Sequence, residues 1–254
     1  MFLEKTRERK PMNKLYMKND LYFALLWIVV YCAVTAPLRE AFGDDSLWMV
    51  GELLIVALIL TIFVKRNGLE EKIGLRPFPK ERKRYLYFIP MWFLATGNLW
   101  GGVAPSYSGW HLPVAVLTML LIGYVEEFIF RGLLFSAMLS RYEDRKAIII
   151  SAVTFGIGHI VNLLTGQLAP ETFVQVIFAV AWGFILTMVV YWSKSLWPAI
   201  VAHGLVDAFS VFSREQAAPS MWLMWIYPLV TIVVALAYCS YLSKLKPPAK
   251  SKEG

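Results

Sequence analysis

The sequence predicts an all-α, polytopic membrane protein: eight transmembrane helices with a site inside the helix bundle. Three observations carry this expectation. Hydrophobic residues make up 58% and charged residues 17% of the 254, against about 45–50% and about 25% in soluble domains. Apolar runs near the ~20 residues that a helix needs to cross a bilayer recur along the whole chain. Lysine and arginine are concentrated between alternate runs. A soluble fold, a disordered chain and a disulfide scaffold are excluded on composition alone.

The runs fall at residues 20–37, 46–64, 85–100, 112–139, 147–164, 172–192, 196–213 and 221–243. Turn and breaker residues separate them, among them Pro37, Gly43, Pro77, Pro79, Gly166 and Pro219. With a cytoplasmic N-terminus, the inner segments carry 22 of the 25 lysines and arginines. The outer loops keep only Arg39 and Arg214, and Arg131 lies within a span. Eight spans with both termini inside thus satisfy the positive-inside rule. The expected organisation is a basic cytoplasmic tail over residues 1–19, a membrane domain over 20–243 and a second cytoplasmic tail over 244–254.

The net charge of +7 fits this arrangement better than nucleic-acid binding. The basic segment from Lys65 to Arg84, with Leu69, Ile73, Leu75 and Phe78 interspersed, reads as lying along the anionic inner leaflet. Trp48, Trp92, Trp100, Trp110, Trp192, Trp197 and Trp222 sit near span ends, where amphipathic rings form an interfacial belt. Cys32 and Cys239 lie in apolar runs and read as core residues.

A charged side chain at the bilayer centre costs about 2.5–3.5 kcal/mol on insertion scales, so each one invites a functional reading. Here Glu126, Glu127 and Arg131 fall in span four, His159 in span five, and His203 and Asp207 in span seven. At about 1.5 Å of rise per residue, these groups are expected between the midplane and the inner leaflet, around a cavity open to the cytoplasm. Glu52, nearer the outer end of span two, reads as structural, and His111 as interfacial.

Spacing sorts their roles. Glu127 and Arg131 are four apart with the acid first, the favoured order for a helical ion pair. Glu126 then faces elsewhere, about 140° round the helix from Arg131. His203 and Asp207 share a face, so the carboxylate can orient or charge the imidazole. Phe155, His159 and Asn162 form another row, and Gly156 and Gly158 permit close packing or a water-filled space.

A carboxylate beside an imidazole can deprotonate water and later protonate a leaving amine. A second histidine with a polar partner can stabilise the oxyanion. Together that is amide hydrolysis. Glu126, His159 and His203 could alternatively ligate a divalent metal such as zinc. Two other classes use similar residues: a proton-coupled transporter, and a non-catalytic scaffold or bacteriocin-immunity protein on the same fold.

Glu126-Glu127-x-x-x-Arg131, Phe155-x-x-x-His159 and His203-x-x-x-Asp207, in that order on three spans, resemble the CAAX prenyl protease and bacteriocin-processing (CPBP, or Abi) intramembrane proteases. The resemblance covers about residues 112–213, and Gly68-Leu69 with Gly74-Leu75-Arg76 also look like the family. It implies an intramembrane endopeptidase in which Glu126 and His159 activate water, His203 and Asp207 stabilise the oxyanion, and Glu127 and Arg131 hold the site together. The family has been labelled a metalloprotease, although a metal-free glutamate mechanism is the better supported. Asp207 stands where the eukaryotic CAAX proteases carry Asn, which fits the bacterial branch and a plasma-membrane location. Implied partners are a membrane-associated peptide or protein substrate and the lipid bilayer.

Overall fold

A computed structural model describes residues 11–76, 88–214 and 225–244 of the chain. The described residues are helical apart from loops and one isolated bridge between Val103 and Ser213. Among the described residues, six helical stretches are long and apolar enough to cross a membrane: Asp20–Phe42, Leu47–Asn67, His111–Leu139, Asp144–Leu163, Ala169–Ser193 and Tyr227–Lys244. The chain is an integral, multi-pass membrane protein.

Two of the eight expected spans are shorter than expected. The third contains α5 (Ile89–Ala95) and a 3-10 turn (Gly97–Leu99). At 1.5 Å per residue, α5 is only about 10 Å long. The seventh is α10 (Trp197–Ser210), about 21 Å of helix. Tertiary contacts anchor both: Asn98 Nδ2 donates to the Val206 carbonyl at 2.7 Å, tying the 3-10 turn to α10.

At the start of the described chain, α1 (Pro11–Lys18) packs onto α2 (Asp20–Phe42) rather than trailing free. Tyr16 meets Phe23 and Phe63 edge-on, with ring centroids 5.4 and 5.5 Å away. Asn19 caps α2 by accepting from the Leu21 and Tyr22 amides. The helix runs through Pro37 to Phe42, five residues beyond the expected end, because neighbouring helices let a membrane helix tolerate proline. It stops at Gly43, whose φ of +75° suits a residue without Cβ.

Next come α3 (Leu47–Asn67) and the short α4 (Glu70–Ile73). The apolar residues expected to face lipid here face protein instead. Ile73 is buried, and Leu69 and Leu75 pack against the core, because α4 folds back under the wide turn that follows α6. Residues 77–84 of that basic segment, Phe78 included, lie outside the described residues, as do residues 1–10, Trp222 and residues 245–254 of the tails. Of the tryptophans assigned to the belt, Trp48 and Trp110 are exposed.

The centre of the bundle is α6 (His111–Glu127), which runs into a π-helical turn (Phe128–Phe135) and then α7 (Ser136–Leu139). It packs against α10, and α8 (Asp144–Gly158) packs against α9 (Ala169–Ser193). The final helix, α11 (Tyr227–Lys244), lies on α9. Glycines set both close crossings. A Cβ on Gly123 would stand 2.5 Å from the Gly204 nitrogen, and one on Gly183 would stand 2.8 Å from the Ala152 carbonyl oxygen. Small residues let helix backbones approach where no hydrophobic force drives association.

Candidate active site

The close approach of α6 and α10 positions the first part of the site. Glu126 and Glu127 are neighbours on α6, about 100° apart around the axis, so they face different surroundings. Glu127 is wholly buried, and its Oε1 accepts from Arg131 Nη1 at 2.6 Å. The same oxygen lies 2.8 Å from His203 Nδ1. Arg131 sits in the π-helical turn, a feature often found at functional sites. It also reaches Thr187 Oγ1 and the Gly183 carbonyl, each at 3.4 Å. Its guanidinium lies 4.1 Å from the centre of the Phe155 ring. The expected ion pair is therefore one half of a three-residue link that also fixes the histidine.

Glu126 turns into a cavity of about 350 Å³. Tyr31 on α2 donates its hydroxyl to Glu126 Oε1 at 2.8 Å. Glu126 Oε2 stands 3.8 Å from His203 Nε2, and Asp207 Oδ2 stands 3.4 Å from that same nitrogen. Carboxylates thus face His203 at both ring nitrogens, so the ring is placed to offer an N–H from each.

His159 lines the same cavity at the point where α8 changes to a 3-10 helix (His159–Thr165). Its Nδ1 is 3.2 Å from the Phe155 carbonyl oxygen. A carbonyl oxygen can only accept, so Nδ1 carries the hydrogen and Nε2 keeps its lone pair when the ring is neutral. Phe155 meets both histidine rings edge-on, at 5.2 Å from His159 and 5.5 Å from His203. The two glycines beside His159 divide the roles their sequence left open. A Cβ on Gly156 would come within 2.2 Å of Val180, which makes it a packing glycine. Gly158 lines the cavity.

Residues 108–209 match the family model described as type II CAAX prenyl endopeptidase Rce1-like. They form an Rce1-like CAAX endopeptidase domain. The family is one of peptidases. No curated protein matches the chain.

The Rce1-like domain supplies Glu126, Glu127, Arg131, Phe155, His159, His203 and Asp207. Further cavity walls come from outside it: Tyr31, Cys32, Thr35 and Arg39 on α2, and Asn98. Sequence reasoning missed Tyr31 and Arg39 as site residues. Their signal was present in the row Tyr31, Thr35 and Arg39, a polar stripe at four-residue spacing on a membrane helix. Asn162, placed beside His159 by its spacing, donates to Gln175 Oε1 at 2.8 Å.

Glu52 accepts from Thr35 Oγ1 at 3.1 Å, and Glu52 itself is not among the cavity-lining residues. His111 pairs with Asp45 at 2.8 Å and stacks on Trp110, with ring centroids 4.0 Å apart. Cys32 and Cys239 are free thiols.

A zinc site needs three or more donors about 2.0–2.3 Å from one point. Among the described residues no three His, Cys, Asp or Glu side chains converge in that way. His203 directs Nδ1 at Glu127 and has Nε2 between two carboxylates. Among the described residues, Glu126, His159 and His203 do not form a preassembled three-ligand cluster.

Proposed function

We propose that this protein is an intramembrane endopeptidase in which Glu126 and His159 activate a water molecule against a peptide bond. The observation that carries this reading is the pair of differently tethered groups that line one cavity. Glu126 has one oxygen held by Tyr31, which leaves the other for water. His159 is fixed through Nδ1, which leaves Nε2 as an acceptor.

In the proposed step, Glu126 takes a proton from water while His159 Nε2 accepts the water's other hydrogen. The water oxygen bonds to the scissile carbonyl carbon, and the carbonyl becomes an oxyanion. An N–H on His203 Nε2 stabilises that oxyanion, with Asp207 beside it. Glu126 then returns the proton to the leaving amine as the C–N bond breaks. Preorganised donors of this kind act strongly in a site with little water. Glu127 and Arg131 hold His203 in place and take no part in proton transfer.

The substrate in this reading is a membrane-associated peptide or protein segment. The chain is read as crossing the membrane eight times, α5 and α10 belonging to the two short crossings, with both termini in the cytoplasm. The basic surface at that end would lie against an anionic leaflet, and nucleic acid is no part of the reading.

The test compares peptides released from membranes that hold wild type or Glu126→Gln at matched abundance, read by mass spectrometry as new peptide ends. Peptides absent from the variant support proteolysis and give the cleavage rule. Identical profiles across growth conditions would move the assignment to a scaffold or transporter.

A further inference from the structure

The two ends of the bundle differ in charge. Lys72 and Arg141 both pair with Asp20, at 3.0 and 2.6 Å. Ser136 Oγ donates to the Lys72 carbonyl at 3.1 Å, and Ser195 Oγ to the Arg76 carbonyl at 2.9 Å. These bonds gather the start of α2, the end of α3, the α7–α8 turn and the α9–α10 turn at one end of the molecule. Tyr227 donates to the Leu94 carbonyl away from that end, so the 18 residues of α11 bring Lys244 back to the basic end. Among the described residues, every lysine and arginine except Arg39, Arg131 and Arg214 lies there. Both ends of the described chain lie there too.

The cavity extends the other way. Phe130 and Phe155 line its inner part. From there Tyr31, Thr35 and Arg39 climb the C-terminal half of α2, and His203, Asp207 and Ser210 climb the C-terminal half of α10. Side-chain exposure rises along this path, from 10% at His203 through 14% at Glu126 and 27% at Asp207 to 43% at Arg39. Near the top, the loop after α5 is bonded to the end of α10, Ala104 N to the Phe212 carbonyl at 2.9 Å and Ser106 N to the Val211 carbonyl at 2.8 Å. A basic end is the cytoplasmic end of a membrane protein.

The geometry points to a cavity mouth, at Arg39, Asp207 and Ser210, on the membrane face opposite the basic end and both ends of the described chain. The substrate is then a polypeptide segment on the non-cytoplasmic side, either an exported peptide or the outer flank of a membrane-anchored chain. This reverses the cytoplasmic opening that span counting led us to expect. The counting placed His203 and Asp207 close to the inner surface, but did not show which side of them is open. The inference rests on the proposal that this cavity is the peptidase site.

The test is labelling with a membrane-impermeant maleimide in right-side-out and inverted vesicles, in a Cys32→Ala, Cys239→Ala background. Ser210→Cys and, as a second variant, Arg39→Cys report the mouth; Lys14→Cys reports the basic end. The expected result is labelling of the mouth cysteines at least 10-fold faster in right-side-out vesicles, and of Lys14→Cys faster in inverted ones. Mouth cysteines that label from the same side as Lys14→Cys, or from neither side, would overturn the inference. Labelling of Lys14→Cys from outside would overturn the non-cytoplasmic substrate. Peptide release by wild type against Glu126→Gln is scored separately. The expected labelling with no peptide release sinks the peptidase reading alone; peptide release with mouth cysteines open to the cytoplasm sinks only the side of access.

Discussion

Glu127 and His203, 76 residues apart in the chain, meet at 2.8 Å through the same carboxylate oxygen that accepts from Arg131. A buried carboxylate between a guanidinium and an imidazole gives His203 one orientation, because rotating the ring would leave charge without a partner in a dry interior.

Removing Arg131 should therefore cost stability before it costs chemistry. Arg131→Ala strands Glu127, and breaking one side of a buried pair costs about 3–5 kcal/mol. Arg131→Lys should restore only part of this, since one ammonium cannot reach Glu127, Thr187 and the Gly183 carbonyl together while lying over Phe155. Thermal unfolding in detergent measures both, with wild type most stable, Lys intermediate and Ala least stable.

Glu126→Gln should behave in the opposite way. The amide oxygen still accepts from Tyr31, so the folded yield and melting temperature should stay near wild type. Cleavage should fall by about 10²–10⁴-fold, the range for loss of a general base. Retained cleavage would remove Glu126 from the mechanism.

Tyr31→Phe deletes one hydroxyl whose partner is a charged group, a bond worth about 1.5–3 kcal/mol. We expect kcat to fall about 10-fold or more with KM little changed, because the phenol orients Glu126 and need not touch substrate. Tyr124→Phe is the control. It also loses a tyrosine hydroxyl bond, a neutral one to Thr61 at 2.7 Å, away from the cavity, and should leave kcat unchanged.

Gly123→Ala tests the close helix crossing. Its Cβ would meet the Gly204 backbone at 2.5 Å, and overpacking of this kind costs about 1–3 kcal/mol. Because the crossing sets the Glu127–His203 contact, activity per folded molecule should fall together with melting temperature. Loss of stability with full specific activity would show that the crossing does not position the site.

That Glu126, His159, His203 and Asp207 come together at one cavity, and that Glu126 and Glu127 divide between cavity and core, was legible in the sequence. Charge is costly in a membrane, and adjacent helical positions point about 100° apart. The membrane class follows equally from apolar run length. Tertiary structure decided the rest. Leu69, Ile73 and Leu75 make the same pattern whether they face lipid or a protein core, and only the packing of α4 separates the two. The lengths of α5 and α10 depend on contacts such as Asn98 to Val206, because an apolar run does not mark where its helix stops. The stripe Tyr31, Thr35 and Arg39 is visible in the spacing, but the Tyr31–Glu126 bond and the Glu127–His203 link are not, because spacing rules relate residues within one helix. Those contacts exist because helices distant in sequence, some brought close by glycines, share one interior, and that same packing decides at which end the cavity opens.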